Sequence, residues 1–316
     1  MKLALIGGPE AAVHYTTAAA RFPGVSFSAV VAGGGAAAEA AATLPGSPET
    51  GESVTELLDR GADICDAVVI HQGPEPAHES AHAAIAAGKH VLAGAPLAPT
   101  AEAAGGLRDA AADAGVTLMA GHPWRFRPSL AEIKSSLVAG SLGTPGLLRI
   151  HAWRSLGLTS EQIARGEATD ALDLAVWLFG RSPEAIYALG GEGYLQIHCG
   201  FAGDGMAIID CANASAAGGD YLSVGVIGAS GAAYADDHHN RNLLFNDGAP
   251  RGVAPGEESA AYLAQLQELV AAIEEGRAPS LTGQDGMRAL QLAEAASASL
   301  QQRQAVHRSG DGYELA

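Results

Sequence analysis

Several side chains able to move a proton or hold a ligand follow apolar runs in this 316-residue chain. His71 and Gln72 come directly after Val68-Val69-Ile70, and His122 and Arg125 come just after Val116-Thr117-Leu118-Met119. Asp170 and Asp173 lie on a helical pattern whose apolar face is Leu172, Leu174, Trp177 and Leu178. Imidazole exchanges protons near neutral pH, and a carboxylate can do so when its surroundings shift it. His71, His122 and Asp170 are therefore the candidate acid–base groups. Gln72, Arg125, His151 and Asp173 are the candidates for touching a small-molecule ligand. His151, Trp153 and Arg154 sit on or near a strand whose two faces the pattern does not distinguish. His71, His122, His151 and Asp170 could form a His-plus-carboxylate metal set, but none has the H-x-x-x-H spacing of a local metal motif, and no metal is expected.

Other histidines read as framework. His78 and His82 are four apart on one helix face, a spacing that suits packing. His14 lies on the first helix and reads as structural. His238-His239 falls in the polar run Asp236 to Asn242, which reads as a surface loop.

The elements that position these residues alternate in type. Leu3 to Ile6, Val25 to Ala32, Val68 to Ile70, His90 to Leu92 and Val116 to Met119 are short apolar runs. Helical segments separate them, over about Glu10 to Arg21, Pro76 to Ala87 and Thr100 to Ala114, with Gly88 and Gly115 just past two helix ends. That order is the pattern of βαβ units and a parallel sheet. Pro128 opens a helix over about Ser129 to Gly140, and Leu147 to Trp153 starts a second domain. A single helix is expected over Glu161 to Phe179, with a capping-box spacing at Thr159 and Gln162. Strands follow at Ala185 to Leu189, Leu195 to Cys199, Met206 to Ala212, Tyr221 to Ile227 and Ala232 to Ala235, with a hairpin turn at Gly228 to Gly231. Asn240 to Gly256 reads as loop. Helices over Glu257 to Gly276 and Met287 to Gln302 end the chain. The expected fold is α/β: a Rossmann-type parallel sheet over 1–121, then an α/β domain on a mostly antiparallel sheet over 122–316.

A dinucleotide turn wants glycine at three positions of G-x-G-x-x-G. Counting from Gly7, they are Gly7, Pro9 and Ala12. Gly7 and Gly8 remain as cofactor-binding candidates, while Pro9 has no N–H to offer a phosphate. The second strand ends Val31-Ala32-Gly33-Gly34-Gly35, without the carboxylate that holds a ribose and without an Arg or Lys for a 2′-phosphate. The glycine run reads as a surface loop.

The net charge of −17 excludes nucleic acid and anionic membrane as partners, since both need basic patches. No apolar run approaches membrane-spanning length. The start passes directly into a strand with no signal-type segment, so a cytoplasmic protein is expected. Cys65, Cys199 and Cys211 form no CxxC motif and read as free thiols.

The stretch Asp66 to Gly143 resembles the Gfo/Idh/MocA oxidoreductases, named for glucose–fructose oxidoreductase and inositol dehydrogenase. The resemblance rests on His78, on Ala87-Gly88-Lys89-His90-Val91-Leu92, on Pro96, and on Arg125-Phe126 with Pro128. The ending Pro279 to Gly286 is similar as well. The resemblance implies NAD(P) as cofactor, a Lys that contacts cofactor and substrate, and a D-x-x-x-H pair. Here the Glu-Lys positions are Gly94-Ala95, and registering on Asp173 and Trp177-Leu178 puts Gly166 and Asp170 where the Asp and His belong. It also implies a homo-oligomer formed through the C-terminal sheet. Because the chemistry-bearing positions differ together, the chain reads first as a degenerate member with no cofactor expected in the family mode, acting as a ligand-binding protein or as partner subunit of a heteromeric catalyst. Two alternatives stand beside it: an NAD(P)-dependent sugar or polyol dehydrogenase with atypical cofactor binding, and a non-redox lyase or isomerase using the His-rich cleft.

Overall fold

A computed structural model describes every residue except 34, 155–156, 214–220, 237–241, 246–250, 254–256 and 316. The chain divides into two compact units, Met1–Phe126 with Glu258–Met287, and Arg127–Glu257 with Arg288–Ala316.

The first unit is built on β1 (Lys2–Ile6), α1 (Pro9–Ala20), β2 (Ser26–Val31), α2 (Ala36–Thr43), β3 (Glu49–Gly51), α3 (Val54–Asp59), β4 (Ala67–Ile70), α4 (Pro74–Ala86), β5 (His90–Gly94), α5 (Ala101–Ala114) and β6 (Leu118–Gly121). Its six strands are parallel, in the order β3-β2-β1-β4-β5-β6. Ala67 to Ile70 are buried at every position, as a central parallel strand covered on both faces must be. Pro9 and Pro74 start α1 and α4, where a missing N–H costs nothing. Thr100 caps α5 by accepting from the Ala103 N–H at 3.1 Å, and Gly115 ends it at φ 66°. The order reverses at β1 and β4, so their carboxyl ends flank the crevice where an open α/β sheet takes a ligand.

The second unit holds α6 (Pro128–Val138), β7 (Pro145–Arg154), α7 (Ser160–Arg165), α8 (Ala168–Phe179), β8 (Ala185–Gly191), β9 (Tyr194–Phe201), β10 (Gly205–Asn213), β11 (Tyr221–Gly228), β12 (Ala232–Asp236), β13 (Asn242–Phe245) and β14 (Arg251–Val253). The chain continues through α9 (Glu257–Glu275), α10 (Gly283–Gln302), β15 (Val306–Ser309) and β16 (Gly312–Leu315). The ten-stranded sheet runs β14-β13-β12-β11-β7-β10-β9-β8-β15-β16. It is mostly antiparallel, with β7 and β10 its parallel pair. On β7, Leu148, Ile150 and Ala152 are buried on the face carrying α8, while Arg149, His151 and Trp153 take the other face.

Four local expectations are corrected. Residues 160–179 form two helices, because Gly166 leaves helical geometry at φ −119°, ψ −82° and its carbonyl accepts the Thr169 hydroxyl at 2.7 Å. The capping box at Thr159 and Gln162 is present. The loop expected over 240–256 contains β13 and β14. α10 begins at Gly283 instead of Met287, because Thr282 and Asp285 cap each other across its first turn. Residues 306–315 form a terminal hairpin whose exposed, polar composition gave no strand signal.

α9 returns to the first unit, which pattern reading along the chain does not reveal. Leu266, Leu269 and Val270 join Leu92 and Met119 in one buried cluster. Each contributes about 1.5–3 kcal/mol by leaving water.

Candidate functional site

His71 is the first residue beyond β4. Its N–H donates to the Ile6 carbonyl at 2.8 Å, which ties it to the end of β1. It presses on the turn that follows β1: a Cβ on Gly7 would lie 2.8 Å from the His71 carbonyl oxygen. It also borders the end of β5, where a Cβ on Gly94 would lie 4.0 Å from His71 Nδ1. The crevice floor between β1, β4 and β5 is thus backbone glycine around one half-buried imidazole.

Beside it stand residues that sequence reasoning did not select. The His14 ring, on α1, is 5.6 Å from the His71 ring, centroid to centroid, and stacks on Tyr262 of α9 at 4.6 Å. His14 Nδ1 is 3.9 Å from Glu258 Oε1. His14 was legible only as a helix residue, and nothing local marks Tyr262 or Glu258 as its neighbours.

The other candidates of this unit are held in place. The Gln72 amide oxygen accepts from the Ser80 hydroxyl at 2.9 Å, which fastens it to α4. His122 is buried after β6, two strands from His71, or about 10 Å across the sheet. Arg125 is buried and pairs with Asp285 at 3.5 Å, the ion pair within the fold that such an arginine favours.

In the second unit, Asp170 and Asp173 lie on α8, and Asp173 is buried. Asp170 is 3.9 Å from Arg154, which also binds Glu167 at 3.1 Å. Burial pushes the nearby Cys211 thiol up to about 12, and Glu167 and Asp210 push the same way. His151 is on the opposite face of the sheet from this cluster, paired with Asp210 at 2.9 Å. Asp210 in turn accepts from the Gln196 amide at 2.7 Å. Strand alternation therefore separates His151 from Asp170, with which it had been grouped. Among the described residues no group of three or more His, Cys, Asp or Glu could hold a metal. His238 and His239 lie outside the described residues.

The comparisons agree across both units. The oxidoreductase family model with an NAD-binding Rossmann fold matches residues 1–122. The model of the same family's C-terminal alpha/beta domain matches 152–307. The chain belongs to the Gfo/Idh/MocA oxidoreductase family.

The myo-inositol 2-dehydrogenase of Thermotoga maritima is 24% identical over 76% of this chain and 79% of its own. The 4-carboxy-2-hydroxymuconate-6-semialdehyde dehydrogenase of a Sphingobium species is 27% identical over 56% of this chain, and the match spans only 55% of that relative's length. A levoglucosan dehydrogenase solved with NADH and levoglucosan superposes with TM-score 0.83 at 18% identity, covering 97% of this chain and 99% of that one. That likeness establishes the shared fold.

The structure shows what surrounds the β1–α1 turn and the end of β2. Gly8 is open, with nothing within 4 Å of a Cβ placed there. Pro9 occupies the first position of α1 and offers no N–H. β2 ends at Val31, followed by Ala32 and Gly33, with no carboxylate for a ribose. Glu49 of β3 and Glu56 of α3 are engaged by Arg60 at 3.4 and 2.6 Å. Ala95, at the place the resemblance gives to a lysine, supplies a methyl group.

Proposed function

We propose that this chain is a Gfo/Idh/MocA protein that does not transfer hydride by its family's mechanism, and that it serves as a ligand-binding or partner subunit. The observation that supports this most is Asp170. The family's proton-carrying histidine is replaced by a carboxylate, and that carboxylate lies beside Arg154. Arg154 also binds Glu167 at 3.1 Å, so Asp170 is part of an ion-paired cluster within the fold. With Ala95 in place of the lysine, the family's two positions carry a methyl group and an ion-paired carboxylate.

A second reading has its own support: NAD(P)-dependent oxidation of a sugar or polyol, with His71 as the proton acceptor. The family relatives carry dehydrogenase names, and His71 sits against both the β1 turn and Gly94. Titrating the purified protein with NADH and NADPH while following nicotinamide fluorescence separates the two. No saturable signal up to millimolar cofactor is expected. Micromolar saturation would overturn the first reading in favour of the second.

The far face of the C-terminal sheet exposes Trp153, Tyr194, Met206, Ile227 and Tyr234 around the His151–Asp210 pair. Exposed apolar residues gathered on one face favour a covering partner. We assign that role to a second copy of the chain, checked by light scattering after size exclusion. No described helix is long and apolar enough to cross a membrane, and we place the protein, with its free thiols, in the cytoplasm.

A further inference from the structure

A pocket of about 540 Å³ opens in the first unit, at the amino-terminal ends of β5 and β6. The two strands reach it through His90 and Leu118, the end of α5 through Ala112 and Gly115, and the turn from α9 into α10 through Pro279 and Gln284. Its volume is within the ~300–1,000 Å³ usual for small-molecule sites. The crevice lies at the carboxyl ends of the same parallel strands, so the two are separate places.

The pocket departs from the rest of the chain in charge. The protein has 35 Asp and Glu against 18 Lys and Arg, yet among the described residues the wall holds Arg108 and Arg277 and no carboxylate. Asp109 and Glu268 pair with these arginines from outside the wall. Asp109 accepts from Arg108 Nε at 2.9 Å, and Glu268 accepts from Arg277 at 2.8 and 3.0 Å. The further contacts, to Gln284, Met287, Glu275 and Ala278, still leave an N–H on each guanidinium. His90 Nδ1 accepts the Thr117 N–H at 2.9 Å, so the neutral ring carries its proton on Nε2. Gln284 spends its amide oxygen on Arg108 at 2.5 Å, which leaves its amide nitrogen as a donor. Among the described residues, neither His90 Nε2 nor the Gln284 amide nitrogen makes a hydrogen bond within the chain.

These four side chains offer hydrogen-bond donors, and acceptor atoms are what they would take. Val116, Leu118, Ile273 and Pro279 give the same pocket apolar surface. The net charge of −17 repels anions from afar, but that field fades over about 10 Å at 0.1 M salt, whereas the two guanidiniums act at contact. We propose that this pocket binds a small organic carboxylate, held by Arg108 and Arg277 with its apolar part against Val116, Leu118 and Ile273. The site lies away from the crevice, and its ligand is independent of what the crevice takes.

The test uses sodium benzoate as the probe, added to the full-length protein and followed by amide ¹H–¹⁵N resonances. Saturable shifts at the Thr117 and Gln284 amides are expected, with a dissociation constant of about 1 mM. Arg108→Gln and Arg277→Gln should each weaken benzoate about tenfold, as loss of a hydrogen bond to a charged group does. Arg60→Gln, which removes an arginine of α3's far end of the unit, should leave the affinity unchanged. Benzamide, the uncharged analogue, should bind at least about tenfold more weakly than benzoate. Absence of saturation by ~10 mM benzoate overturns the proposal, as do shifts confined to the crevice amides Gly7 and His71. Equal binding of benzamide, or of inorganic phosphate in place of benzoate, overturns the assignment to an organic carboxylate. Arg277 also anchors the turn after α9 through Glu268. Should Arg277→Gln not fold, Arg108→Gln decides alone, and unchanged affinity there overturns the proposal equally.

Discussion

Replacing Gly7 by alanine is the sharpest test of how the crevice is built. A methyl group there would lie 2.8 Å from the His71 carbonyl oxygen, 3.0 Å from Ala11 Cβ and 3.5 Å from His71 Cβ. The first contact is with backbone that is itself hydrogen-bonded to β1, since the His71 N–H donates to the Ile6 carbonyl. It cannot swing aside like a flexible side chain, so β4 and α1 must move. Overpacking of this kind costs about 1–3 kcal/mol. Gly8 is the control. It has open space where a Cβ would go and a φ of −77°, which any residue adopts. Alanine at this N-cap position loses about 0.5–1 kcal/mol of capping preference and regains about 0.4–1 kcal/mol from a less flexible unfolded chain. Gly8→Ala should therefore be neutral to within ~0.5 kcal/mol. Urea unfolding followed by circular dichroism reads both variants, and a thermal scan should show Gly7→Ala melting about 2–4 °C lower per kcal/mol lost. Equal stability of the two variants, or a larger loss at Gly8, would refute this account of the β1–α1 turn.

Other expectations follow from single contacts. Arg277 grips both oxygens of Glu268 at 2.8 and 3.0 Å, and the Ser280 N–H donates to the same carboxylate at 2.6 Å. The Arg277 contact chiefly, and Ser280 with it, hold the Glu268 pKa below its usual 4.5. A depressed carboxylate stabilises the fold above its unfolded pKa and loses that contribution as pH falls through the folded one. Glu268→Gln should thus cost about 0.5–1 kcal/mol at neutral pH and flatten the acid limb of a stability-versus-pH curve below pH 4.5. His90 works in the opposite sense: burial, ahead of its neighbours' charges, lowers its pKa from 6.5, and its Nδ1 accepts the Thr117 N–H at 2.9 Å. Protonation breaks that bond, so stability should fall as pH drops below 6.5, and His90→Gln should lessen the fall. Burial pushes the Cys199 and Cys211 thiols up to about 12, and Cys65 is buried as well. Ellman's reagent at pH 8, a working value about half a unit below a free thiol's pKa, should label none of the three in the native protein and all of them in guanidinium; fast native labelling would contradict the burial. Thr159→Ala removes one half of a complete capping box and should cost about 0.5–2 kcal/mol by urea unfolding.

Local rules carried much of this protein. The apolar runs at Leu3 to Ile6 and Val68 to Ile70, the glycines at 88 and 115, the prolines that open helices and the Thr159–Gln162 box each act over a few residues, so one stretch of chain suffices to read them. The identities Pro9, Ala95 and Asp170 are read in the same local way, each from its place beside a neighbouring motif. What the chain order hid was decided by contacts across long separations. His14, His71, Tyr262 and Glu258 come from α1, the end of β4 and α9, and only the packing of α9 against the parallel sheet brings them together. The face taken by His151 was fixed by the register of β7 between β10 and β11, which sent it away from Asp170. A strand's alternation names two faces, but which of them meets a helix depends on the hydrophobic burial of the whole sheet, and that is a property of the folded unit.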